Sequence, residues 1–151
     1  MISIVTSMLI RNVIFLLLAA IFVMLVATIT RLIEPPNTVL FILGAVFGLL
    51  GIAMVILTAK LDEAGIRKRF LILTGASAAA IPLSAILHNL VYALFIAWFG
   101  KDFWGADGDE PVFFILALFV FPAMFMVGWV ISAALYMKEK RVRVEPQFFG
   151  K

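Results

Sequence analysis

Residues 70–99 read FLILTGASAAAIPLSAILHNLVYALFIAWF, thirty positions without one Asp, Glu, Lys or Arg. A helix of about 20 apolar residues covers the hydrocarbon core of a bilayer, and this stretch is longer than that. It shows no alternation of apolar and polar residues, so it does not read as a barrel strand. A helix then satisfies every backbone polar group in lipid. Working outward, three more charge-free runs appear: Asn12–Thr30, Thr38–Ala59 and Val112–Met137. With Phe70–Phe99 they give four expected spans.

The composition agrees with that count. Of 151 residues, 65% are hydrophobic and 14% charged, and the mean hydropathy is +1.18, whereas soluble domains run about 45–50% apolar and about 25% charged. The chain has no cysteine, which excludes disulfides, thiolate metal sites, iron–sulfur clusters and thiol redox chemistry. The net charge of +3 is accounted for by the distribution of cations about the spans, and no nucleic-acid partner is implied.

That distribution sets the expected orientation, because Lys and Arg are retained on the cytoplasmic side. With the N-terminus, the loop 60–69 and the tail 138–151 inside, Arg11, Lys60, Arg67, Lys68, Arg69, Lys138, Lys140, Arg141, Arg143 and Lys151 are cytoplasmic, ten of the 12 cations. Arg31 and Lys101 are left outside with Glu34, Asp102, Asp107, Asp109 and Glu110. The expected topology is N-in, C-in in a cell membrane. The connections Arg31–Asn37, Lys60–Arg69 and Gly100–Pro111 are too short for a soluble domain, so the expected architecture is all-α: one transmembrane domain over 1–151, an up-down four-helix bundle. Met1–Ile10 is apolar but separated from the first span by Arg11. A helix running back to Ile2 would be about 45 Å long, so this segment is expected to bend into the inner interface, as part of an uncleaved anchor rather than a signal peptide.

Several residues within the spans bear on function. Gly44 and Gly48 form a GxxxG continued by Gly51, a small-residue face that permits close helix packing within the chain or between chains. Thr74, Ser77, Ser84, His88 and Tyr92 fall at steps of three, seven, four and four, along one helical face that should avoid lipid. His88 is the only histidine, and helical spacing offers Ser84 and Tyr92 as its hydrogen-bond partners. Pro82 and Pro122 are expected kinks, each removing a backbone donor. Asp109, Glu110 and Pro111 suit the start of the fourth helix. A divalent-cation site from Asp107, Asp109 and Glu110 is the competing reading, without EF-hand spacing. Arg67, Lys68 and Arg69 read as topology determinants with a capacity for anionic lipid.

The run Leu73-Thr74-Gly75-Ala76-Ser77-Ala78, then Pro82, Leu87-His88-Asn89-Leu90 and Tyr92, resembles a pattern of small, uncharacterised prokaryotic four-helix membrane proteins. The resemblance covers about a quarter of the chain. It implies a bacterial or archaeal plasma membrane and carries no activity with it. No nucleophile–base pair, metal triad or phosphate loop is present, and neither a metal nor a cofactor is expected. The leading functional expectation is a non-enzymatic subunit or scaffold, in contact with other membrane subunits or with itself. An oligomeric small-solute transporter or channel lined by the polar face comes second, and a His88-centred quinone, lipid or haem site third.

Overall fold

The computed structural model describes residues 4–61, 65–105 and 108–144, with side chains to residue 141. Asp107, Arg143 and Lys151 of the sequence reading, and the tail beyond 144, lie outside the described side chains. The chain is all-helical. The elements are α1 (Ile4–Ile29), α2 (Asn37–Lys60), α3 (Ile66–Phe99), α4 (Pro111–Ile115), a π-helical turn (Leu116–Val120) and α5 (Phe121–Val144). The last three form one continuous rod. Four helical stretches are each long and apolar enough to cross a membrane, which is the signature of a multi-pass membrane protein.

The helix ends follow from local chemistry. Beyond α1 the chain turns through Arg31 at φ 57, and Pro36 then holds an extended conformation as the N-cap of α2 (φ −54, ψ 144). Leu61 leaves α2 in an extended conformation, while Lys68 Nζ donates to the carbonyls of Ala59 (3.3 Å) and Leu61 (2.8 Å). A cation at these carbonyls complements the negative end of the helix. Gly65 (φ 128) and Gly100 (φ 90) bracket α3 with backbone angles that a side chain disfavours. Pro111 occupies the first turn of α4, where its missing amide costs nothing, and Glu110 is its N-cap.

Three helix boundaries lie more than one residue outside the expected spans, the first being the start of α3 at Ile66 rather than Phe70. The apolar N-terminal segment does not bend away: α1 runs unbroken through Arg11, which is only 2% exposed. Arg67 of α3 and Tyr136 and Glu139 of α5 line the same cavity as Arg11 at this end of the molecule. At the other end of the chain, the fourth span passes Met137 and continues as helix to Val144.

The core draws on all four long helices: Ile14 and Leu18, Phe47 and Met54, Leu71 and Ala78, and Phe125. Phe22, Phe47 and Phe125 form an aromatic knot, with ring centroids 4.6 Å (Phe22–Phe125), 5.3 Å (Phe47–Phe125) and 6.3 Å (Phe22–Phe47) apart. Trp129 stacks on Phe15 at 5.3 Å and donates Nε1–H to the Phe15 carbonyl at 3.3 Å. Large apolar side chains point outward on every helix, among them Leu16, Leu49, Leu83 and Phe119. Thr58, Thr74, Ser77, Ser84 and Ser132 are instead buried. Polar inside and apolar outside is the arrangement lipid selects.

Helix α3 sits between α2 and α5 and is clamped on both sides by missing side chains. A Cβ on Gly51 would stand 2.6 Å from the Gly75 carbonyl oxygen, and one on Gly75 would stand 2.7 Å from the Gly51 carbonyl oxygen. On the other flank a Cβ on Gly128 would lie 2.7 Å from Thr74 Oγ1. Backbones at this distance gain dispersion contacts that larger residues would prevent.

Candidate functional site

The polar face of α3 divides into two environments. In its first half, Thr74 Oγ1 donates to the Phe70 carbonyl (2.8 Å), and Ser77 Oγ faces the carbonyls of Leu73 (2.7 Å) and Thr74 (3.2 Å). Both hydroxyls are thus spent on their own helix, the usual way to bury Ser and Thr away from water. Gly128 packs directly on Thr74 and Gly75 on Gly51, so this part of α3 is a packing surface. Ser84 is buried as well, at 4% exposure.

The second half converges on the start of α4. His88 Nδ1 lies 2.9 Å from the Glu110 carbonyl oxygen and 3.3 Å from its Oε2. A carbonyl only accepts, so Nδ1 carries the hydrogen and donates. On the opposite edge of the ring, Nε2 stands 3.4 Å from Asp109 Oδ2, an ion pair whenever the imidazole is protonated. The partners inferred from helical spacing, Ser84 and Tyr92, are therefore replaced by Glu110 and Asp109 from the next connection. Tyr92 stacks instead against Trp104, at 6.3 Å between centroids and 17° between planes. Phe114 tilts against the imidazole at 5.6 Å.

Glu110 organises this end. Its carboxylate accepts from the amides of Val112 (2.8 Å, Oε1) and Phe113 (2.9 Å, Oε2), and its own amide donates to Asp109 Oδ1 (2.8 Å). Only 4% of Glu110 is exposed, and burying a carboxylate is costly unless donors surround it. Two helix amides and the imidazole supply them. The cluster ties α3 to the start of α4. Among the described residues no group of three or more His, Cys, Asp or Glu is placed to hold a metal ion. Beyond it, Phe95, Phe99, Phe103 and Trp104 interlock, with neighbouring centroids 5.0–5.6 Å apart.

The prolines and glycines singled out in the sequence fall at distinct places. Pro82 lies inside α3, and its Cγ occupies the notch left by Gly48, where an added Cβ would be 2.8 Å away. Gly51 faces Gly75, whereas a Cβ on Gly44 would meet nothing within 4 Å. Pro122 is the second residue of α5, just after the π turn, where the Phe121 amide reaches five residues back to the Leu116 carbonyl. Widening the helix there accommodates a residue with no amide of its own.

One group of residues escaped the sequence reading. Arg11, Asn12, Arg67, Tyr136, Glu139 and Lys140, with Met8, surround a cavity of about 260 Å3 between α1, α3 and α5. Arg67 pairs with Glu139 at 2.9 Å and its guanidinium lies 5.0 Å from the centre of the Tyr136 ring. The spacing of Tyr136, Glu139 and Lys140 places them on one helical face, a signal present in the sequence. Arg11 was read as a boundary only because a charge interrupts an apolar run.

Compared with known protein families, curated proteins and solved structures, the chain matches none.

Proposed function

We propose that this protein is a non-enzymatic subunit or scaffold of a prokaryotic plasma membrane, an up-down four-helix bundle with both termini in the cytoplasm. The observation that carries the reading is that the polar side chains of α3 are engaged within the chain. Thr74 and Ser77 bond their own backbone, Thr74 directly against Gly128, and His88 is anchored to the cap of α4. A solute path needs polar groups that face open space, and a catalytic histidine needs a substrate pocket beside it. What the bundle offers outward is apolar surface, suited to lipid and to other membrane helices.

The topology rests on contacts and charge. Gly48 meets Pro82 while Gly51 meets Gly75, so α2 and α3 run in opposite directions. Thr74 against Gly128 and Arg67 against Glu139 give the same relation for α3 and α5. Arg11, Arg67 and Lys140 share one end of the molecule, and Asp109 and Glu110 lie with His88 toward the other end of α3. By the positive-inside rule the basic end is cytoplasmic.

Native mass spectrometry after extraction from the producing membrane in a mild detergent tests the functional reading. Reproducible complexes with other membrane chains are expected. A homo-oligomer lacking other chains, together with solute flux in liposomes made from the pure protein, would replace the scaffold with a channel or transporter. A retained small-molecule mass lost in His88→Ala would replace it with a His88 site.

A further inference from the structure

Two buried hydroxyls lack the bonds that Thr74 and Ser77 make. Thr58 of α2 and Ser132 of α5 are 0% and 1% exposed, and neither oxygen has a hydrogen-bond partner among the described residues. Thr74 and Ser77 meet the same burial by bonding carbonyls one turn back in their own helix. The equivalent bond would take Thr58 to the Met54 carbonyl and Ser132 to the Gly128 carbonyl, and neither forms. A hydroxyl that gives up water and gains no partner is costly, so native interiors keep few of them.

Register places the two hydroxyls at one level of the bundle. Met54 packs on Gly75, and Thr58 lies one turn further along the buried side of α2. Gly128 packs on Thr74, and Ser132 lies one turn further along α5, in the same direction because α2 and α5 both run opposite to α3. On α3 the matching turn holds buried Leu71 and then Arg67, whose Nε–H is also buried without an acceptor among the described residues. Arg67 and Tyr136, the latter one turn past Ser132, both line the cavity of about 260 Å3. A water molecule occupies about 30 Å3 in the liquid and needs about two to four polar partners when buried. The cavity has room for several, and Tyr136 and Lys140 at its wall are exposed, so it is reached from the surface.

We infer that water enters the basic end of the bundle through this cavity and binds Arg67 Nε–H, Ser132 and Thr58, forming a blind inlet. Three helices supply its polar partners, and water within the span gives the Arg67 guanidinium hydration at membrane depth. Met54, Phe47 and Phe125, each no more than 1% exposed, close the interior beyond it. The inlet therefore stops short of Thr74 and Ser77, whose hydroxyls are engaged with backbone. It holds whichever side of the membrane the basic end faces, and its failure would leave the scaffold reading as it stands.

The test is water-edited solid-state NMR of the unmodified protein in lipid bilayers, with threonine and serine isotope-labelled. Magnetisation from water is expected to reach the side chains of Thr58 and Ser132 several times faster than those of Thr74 and Ser77, which are the same residue types at neighbouring depth. Build-up at Thr58 and Ser132 as slow as at Thr74 and Ser77 overturns the inlet. Thr58→Val keeps the shape of the side chain and removes one partner of the bound water, so transfer to Ser132 should slow severalfold. Transfer to Ser132 that does not change in Thr58→Val overturns the shared site.

Discussion

Replacing Gly51 with alanine adds one methyl group at the tightest point between α2 and α3. The new carbon would stand 2.6 Å from the Gly75 carbonyl oxygen, 2.7 Å from the Ala79 amide nitrogen and 3.0 Å from Ala78 Cβ. Ordinary contact begins at 3.4 Å, so the first of these requires the helices to part by 3.4 minus 2.6, about 0.8 Å. Two of the three obstacles are backbone, which no rotamer change can move aside. A gap of 0.5–1 Å forfeits about a quarter to a half of the dispersion energy of the contacts it opens. Overpacking of this kind costs about 1–3 kcal/mol, and the better helix propensity of alanine returns about 0.5–1 kcal/mol of it. Net destabilisation of about 0–2.5 kcal/mol relative to the parent, and of about 1–3 kcal/mol relative to a glycine-to-alanine change that meets no obstacle, is therefore expected in reversible unfolding from mixed micelles. Gly44→Ala is the internal comparison. It keeps the propensity gain and meets nothing within 4 Å, so it should be neutral or slightly stabilising in the isolated chain. A Gly51→Ala protein as stable as Gly44→Ala would refute the packing argument.

Other expected outcomes follow from single contacts. Glu110→Ala removes the cap of α4 and the anchor of His88. It should cost about 1–3 kcal/mol and accelerate hydrogen exchange at the Val112 and Phe113 amides, while amides in the middle of α2 keep their protection. Trp129→Phe preserves the stack on Phe15 but deletes the Nε1 hydrogen bond, for a loss of about 0.5–1.5 kcal/mol in the same unfolding assay; a loss above about 3 kcal/mol would mean that the ring packing itself had changed. Glu139→Gln breaks an ion pair whose acidic side chain is 48% exposed, so its effect on stability should stay within about 1 kcal/mol and shrink further in high salt.

The helices were legible in the sequence because lipid imposes a coarse rule. Charge-free runs of sufficient length mark helices that could span, and the third of them, Phe70 to Phe99, falls within α3, Ile66–Phe99. What the rule misses is any polar group whose cost is met by another helix. Arg11 looked like the edge of a span, yet α1 passes through it, and residues of α3 and α5 line the same cavity. The partners of His88 were out of reach for a similar reason. Spacing along one helix proposes residues four positions away, whereas Glu110 lies 22 positions on and arrives only when the next connection folds back. The glycines illustrate a third limit: Gly44, Gly48 and Gly51 form one small-residue pattern in the sequence, but one faces open space, one a proline ring and one another glycine's backbone. Gly75 and Gly128 complete the packing from helices that were not read for glycines, although Gly128 and Ser132 repeat the same four-residue spacing of small side chains.

The absence of cysteine makes thiol accessibility the most direct test of the account, that of a four-span bundle with a closed polar interior. Single substitutions Glu34→Cys, Lys101→Cys, Lys60→Cys, Lys138→Cys, Ser77→Cys and Ser84→Cys would be probed with a membrane-impermeant maleimide on intact cells and again after permeabilisation. The account predicts labelling at 34 and 101 in intact cells, at 60 and 138 only after permeabilisation, and at 77 and 84 in neither state. Labelling at 77 or 84 in the folded protein would reveal a water-filled path along α3, and labelling at 60 or 138 on intact cells would invert the topology.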